Sequence, residues 1–230
     1  MMRRLAGVLA VGLVGASSIV APASTAHDAD VDPANFARTI DNPWYPLPPG
    51  TTYVFTGVSD GKPTRDVVTV LSRTKTILGV RCTVVRDYLY EGGKLSEATH
   101  DWYAQDKRGT VWYFGEATST VSPAGKIAST KGSWEAGVDG AEQGIVMPAR
   151  PKVGQSFRQE YYKGKAEDHF AIESTAARVS TPYVSSQHAM RTREWSPLEP
   201  GTIEKKLYVR GVGLVADPGD NLVLVSVKRT

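Results

Sequence analysis

The sequence predicts an all-β protein, an antiparallel meander that forms a barrel or a strongly curved sandwich. Three observations carry this expectation. Short runs rich in Val, Thr and aromatic residues recur along the chain, each bounded by Gly, Pro, Asn or Asp. Beyond the N-terminal segment, no stretch shows the 3.6-residue period of an amphipathic helix. A hairpin near the middle places large rings on both of its faces, as a strand pair inside a sheet would.

Residues 1–26 have the pattern of a signal peptide. Arg3 and Arg4 precede an apolar run from Leu5 to Val20, and Ser24-Thr25-Ala26 offers small residues for cleavage. The expected divisions are therefore a signal peptide over 1–26, an N-terminal arm over 27–45 and a single β domain over 46–230. The length left after cleavage suffices for a substantial core. No second long apolar run follows, so the mature chain is not expected to span a membrane.

Without Arg3 and Arg4, 25 basic residues face 24 acidic ones. With that balance and no basic cluster interleaved with aromatics, nucleic acid is not an expected partner. Cys82 is the one cysteine, so no internal disulfide is available. Its strand-like setting predicts a buried, inert thiol.

The arm from His27 to about Ala37 is acidic, small and unpatterned, and is expected to be loose. Cleavage after Ala26 would give His27 a free amine beside its imidazole, a copper-chelating pair. That chemistry needs a second histidine from His100, His169 or His188. The proline-rich run Asp41 to Gly50 follows, where proline blocks a helix. Trp44 and Tyr45 are expected to plug one end of the fold.

Strands are then expected over 51–57, 64–71, 74–77 and 80–90. The central hairpin turns at Asp106-Lys107-Arg108-Gly109, with Asp at the first position and Gly free to take the left-handed conformation. The register this implies pairs Trp102 with Phe114, Ala104 with Trp112, and His100 with Glu116 on one face. The other face pairs Tyr103 with Tyr113, Gln105 with Val111, and Asp101 with Gly115. The first face is greasier and is expected to point into the core or cavity.

Residues 132–154 show no period and are expected to form a packed loop over one end, with Glu135, Asp139 and Glu142 available to a pocket. A further hairpin is expected from 156–162 and 166–180 around Lys163-Gly164. It would set Arg158 opposite His169, Gln159 opposite Asp168 and Glu160 opposite Glu167. Two carboxylates face to face repel unless something relieves them, and such pairs serve acid/base chemistry. Strands over 190–195, 202–210, 213–215 and 222–227 complete the meander. Closed on itself, such a sheet would have a calycin- or lipocalin-like architecture.

The run Asp101-Trp102-Tyr103-Ala104-Gln105-Asp106, followed by Val111-Trp112-Tyr113-Phe114-Gly115-Glu116, resembles a signature of secreted bacterial proteins of uncharacterised function. Ile40-Asp41-Asn42-Pro43, Met147-Pro148-Ala149, Arg158-Gln159-Glu160-Tyr161 and Ser196-Pro197-Leu198-Glu199-Pro200-Gly201 match as well. The resemblance implies a secreted single domain and brings no catalytic assignment.

The sequence contains no phosphate-cradling Gly loop, no Gly-x-Ser-x-Gly elbow, no His-Glu-x-x-His and no cysteine pairs. No cofactor and no metal site is expected. The candidate catalytic residues are Glu160, Glu167, His100, Glu116 and Asp101. The candidate ligand-binding residues are Trp102, Tyr103, Trp112, Tyr113, Phe114 and Trp134. Three functions compete. The first is an extracytoplasmic barrel that binds a small molecule, glycan or lipid of apolar or carbohydrate-like character. The second is an extracellular hydrolase or lyase that uses a carboxylate pair. The third is a cell-envelope structural or interaction module.

Overall fold

The computed structural model describes residues 31–230. The expected signal peptide and the copper-chelating reading of His27 lie outside the described residues. Fifteen strands and one 3-10 turn, Pro33–Asn35, make up the described fold. No helix among the described residues is long and apolar enough to cross a membrane.

The sheet is antiparallel and runs almost entirely in chain order. Strands β1 (Thr51–Ser59), β2 (Lys62–Ile77), β3 (Val80–Glu91), β4 (Lys94–Gln105) and β5 (Val111–Val121) form the first half. Short β6 (Ile127–Ser129) and β7 (Trp134–Glu135) pair with β5, as does β8 (Glu142–Met147). The second half comprises β11 (His169–Ser180), β12 (Ser185–Trp195), β13 (Glu204–Val209), β14 (Gly213–Asp217) and β15 (Leu222–Arg229). β15 pairs with β1, which joins the two halves.

The remaining seam is stitched by one short run of chain. β9 (Ser156–Arg158) pairs with β11, and β10 (Glu160–Tyr161) pairs with β8. Gln159 alone separates β9 from β10, so consecutive residues cover both free edges. The result is a nearly closed 13-strand barrel, which removes most of the unpaired backbone that an open sheet would expose.

Period-two alternation sets what lies inside. β1 buries Thr51, Tyr53 and Phe55, and β13 buries Glu204, Lys206 and Tyr208. On the outer side of β2 to β5, Ile77, Val80, Cys82, Val84, Trp102 and Phe114 form a second apolar layer. Cys82 is fully buried there, and burial pushes its thiol up to about 12, so it is inert.

The chain before β1 covers part of that layer. The Phe36 ring meets Phe114 edge-on at 5.6 Å, and Phe36 bridges Asp106. Residues 31–37 are therefore packed against the sheet rather than loose. The proline-rich run is pinned at 2.8 Å from Asn42 Nδ2 to the Gly109 carbonyl and 3.0 Å from the Asp41 N–H to Gln105 Oε1. The stretch 132–154 also departs from the expected loop, because β7 and β8 within it extend the sheet.

Candidate functional site

The central hairpin turns as its residues dictate. Asp106 Oδ1 accepts from the Arg108 and Thr110 N–H groups at 2.9 Å each, and Gly109 takes φ +97°. The register holds for Tyr103–Tyr113, Ala104–Trp112 and Gln105–Val111, then slips by one residue. Beyond the slip Trp102 pairs with Gly115, Asp101 with Glu116 and His100 with Ala117. The slip is a β-bulge at Phe114-Gly115. Gly115 has φ +129°, and a Cβ there would lie 2.3 Å from the Trp134 carbonyl oxygen. A side chain at 115 would collide with β7.

The bulge decides the chemistry. Paired residues share a face, so Glu116 now points inward with Asp101 instead of outward with His100. The greasy face is also the opposite of the one expected inside. Trp102 lies outward under the Lys75 ammonium, 3.4 Å from its ring centroid, and Phe114 lies outward against Phe36. The tyrosine face lines the interior, because its hydroxyls and carboxyls find partners there.

That interior holds a cavity of about 190 Å³. Asp66 of β2, Asp87 of β3, Asp101 and Tyr103 of β4, and Tyr113 and Glu116 of β5 form one wall. Asp66, Asp87, Asp101 and Glu116 thus sit on four successive strands. Tyr45 closes the end where the β4–β5 turn lies, its ring 5.5 Å from Tyr103 and 6.5 Å from Tyr208. At the other end, half-buried Glu97, Asp168, Glu199 and Asp220 line the cavity near the strand turns.

Burial governs these acids. Tyr113 donates its hydroxyl proton to Asp101 Oδ1 at 2.6 Å, while burial and the charge of Asp87 push Asp101 up to about 7. Burial pushes Asp66 up to about 6. Asp87 is raised well above the ordinary range by burial and by Asp66. Glu116 is raised likewise by burial, then by Asp101 and Glu160. The Trp134 indole N–H donates to Glu160 Oε2 at 2.8 Å, and the indole edge meets the Tyr113 ring at 5.3 Å.

Across the cavity stands a buried ion pair. Lys206 Nζ lies 2.7 Å from Glu194 Oε2 and 3.9 Å from Asp217 Oδ2. Burial opposes both charges of the Lys206–Glu194 pair, but mutual attraction outweighs it: Lys206 is raised and Glu194 lowered. Among the described residues, no group of three or more His, Cys, Asp or Glu side chains is placed to hold a metal ion.

The structure thus gathers Asp101, Glu116, Glu160, Tyr103 and Tyr113 at one cavity, with Trp134 behind them. It separates the other candidates. Arg158 pairs with His169 as expected, but Glu160 leaves β11 to pair with Gln143. Glu167 stays in the turn and accepts from the Gly164 N–H at 2.6 Å, so the two glutamates do not face each other. His100 stands outside near Tyr88, its basicity lowered by burial and by Arg73 and Arg86. Trp112 lies outside the cavity and donates to Asp106 Oδ2 at 3.1 Å. Of the loop acids, Glu135 pairs with Lys75 at 2.6 Å, Glu142 with Arg158, and Asp139 is exposed; none lines the cavity.

Sequence reasoning missed Asp66, Asp87 and Lys206. Each holds an inward strand position with another charge, Arg65, Arg86 or Lys205, as its neighbour in the strand. The bulge was signalled by Gly115 in a strand interior.

No protein-family model matches the chain. No curated protein matches it either. A solved structure described as "a putative lipoprotein from Parabacteroides distasonis" is similar at 13% identity, over 80% of this chain and 98% of that one, with a TM-score of 0.39.

Proposed function

We propose that this protein is an exported β-barrel that binds a small, polar, carbohydrate-like ligand inside the barrel. The observation that carries the reading is the convergence of Tyr103, Tyr113, Asp101 and Glu116 on one cavity. Tyr103 and Tyr113 stack on each other at 4.7 Å, so they offer hydroxyls rather than free ring faces, and hydroxyls with carboxyls suit the donors and acceptors of a sugar. A volume of about 190 Å³ suits a ligand smaller than a drug-sized molecule. The acidic lining favours the polar alternative over the apolar one. Export rests on the signal-peptide pattern of residues 1–26, and it accords with the proposed kinship to secreted bacterial proteins.

One observation favours a hydrolase or lyase as a second reading. Asp101 and Glu116 face each other across β4 and β5, and Asp101 is pushed up to about 7. A carboxyl half-protonated near neutral pH can act as acid or base.

The test is native mass spectrometry of residues 27–230 against a panel of mono- and disaccharides, with turnover monitored. Retention of a saccharide, weakened about tenfold in Tyr113→Phe, supports the binding reading. Turnover that vanishes in Glu116→Gln selects the second. A protein that stays empty across the panel overturns both.

A further inference from the structure

Ten of the chain's 24 acidic residues line this one cavity, although the whole chain carries a formal net charge of +3. Lys206 is the single lysine or arginine in the described lining, and it already lies 2.7 Å from Glu194. Gathering so many carboxyls around one partly enclosed space costs stability, so the arrangement needs a reason beyond packing.

Two carboxylate oxygens supply an independent pointer. Glu116 Oε2 and Asp66 Oδ1 are buried in the lining and accept no hydrogen bond. These two oxygens are themselves buried, while the residues that carry them are half-buried. Glu116 faces Asp101 and Glu97 on β4 and Glu160 on β10. Asp66 faces Asp87 on β3, Asp101 on β4 and Asp220 in the β14–β15 turn. These neighbours are acids, and an acid offers another carboxylate nothing unless it keeps its proton. An ammonium group brings the missing donors and the missing positive charge together, in charge-assisted hydrogen bonds.

From this geometry we propose that the cavity selects a ligand bearing a protonated amine on a polyhydroxylated frame, and that it releases protons on binding. The inference rests on the carbohydrate-like reading above and names its chemical class. In the empty barrel the acids relieve their repulsion by retaining protons. The entering ammonium replaces them, and the displaced protons leave to solvent. Affinity therefore rises with pH through the range in which Asp66, at about 6, and Asp101, at about 7, give up their protons. The acids toward the turns, Glu97, Asp168, Glu199 and Asp220, draw the same cation toward the opening.

Isothermal titration calorimetry with four probes tests this: N-methylglucamine, sorbitol, cadaverine and glucose. N-methylglucamine is expected to bind at least tenfold more tightly than sorbitol at pH 7.5. Its affinity should fall at least tenfold at pH 5, while that of sorbitol should not fall. Glu116→Gln should cut N-methylglucamine affinity about tenfold without lowering the melting temperature, an opposition that a merely structural residue would not give. Equal binding of sorbitol or glucose overturns the cation requirement and leaves the carbohydrate-like reading standing. Binding of cadaverine alone keeps the cation requirement and overturns that reading. Binding of no probe, or unchanged affinity in Glu116→Gln, overturns the inference.

Discussion

Lys206 is buried at 3% exposure, and its energy is a balance of large terms. Glu194 and Asp217 hold its charge, and the Thr192 hydroxyl donates to Glu194 Oε1 at 3.1 Å. Replacing Lys206 with methionine would leave Glu194 charged, buried and short of its main partner. Loss of one partner of a buried pair costs roughly 3–5 kcal/mol. Lys206→Met is therefore expected to lower stability by about that amount in urea denaturation. Lys206→Met combined with Glu194→Gln should recover most of it, because Glu194 then carries no unpaired charge. A single mutant as stable as the double would show that the pair carries no such energy. The pair stands on the wall opposite the carboxyl row, so the cavity is electrically lopsided: neutralised on one side and acidic on the other.

At the scale of elements, the bulge on β5 is the device that turns a generic hairpin into a site. The turn residues Asp106 and Gly109 set the pairing near the turn, and that part of the hairpin was legible in the sequence. Past Trp102 the pairing depends on β7 crossing over Gly115, a contact between residues far apart in the chain, which hairpin chemistry alone does not encode. The same limit applies at Glu160. The pairing of Arg158 with His169 was readable from the turn, but the departure of Glu160 toward β8 was not, because 142–147 lacks clear alternation. The meander was legible because alternation is local. The inward charges on β2, β3 and β13 were not, because each sits beside another charge in its own strand and only closure of the sheet brings them together. Gly115→Ala tests the bulge. The positive φ alone costs about 1–3 kcal/mol, and the collision with Trp134 adds to it. Gly61→Ala is the control, since it has φ +73° but open space around it. Gly115→Ala is expected to lose clearly more stability than Gly61→Ala in thermal melts. Equal losses would mean that the close approach to β7 does not hold the bulge.

For the whole molecule, closure creates both the cavity and the pH response of the fold. Residues 156–161 span the two edges, and a Cβ at Gly144 would lie 2.2 Å from the Gln159 backbone, so the seam tolerates little addition. Once closed, the barrel shields Asp66, Asp87, Asp101 and Glu116 from bulk water. Their folded values lie above those of an unfolded carboxylate, about 4. Between that value and about 7 the folded state binds more protons than the unfolded one, so stability rises as pH falls. Glu194 acts in the opposite sense. Its folded value is lowered, so its contribution is lost only when acid protonates it, below the ordinary glutamate range. The empty protein should therefore melt at a higher temperature at pH 5 than at pH 8, and turn unstable again below about pH 4. Each kcal/mol corresponds to about 2–4 °C in a domain of this size, so several degrees are expected by calorimetry. An amine ligand that lets the carboxyls ionise without repulsion should flatten this slope, raising the melting temperature more at pH 8 than at pH 5. A melting temperature that climbs steadily from pH 5 to pH 8 in the empty protein would mean that the interior carboxyls are not held protonated by their burial.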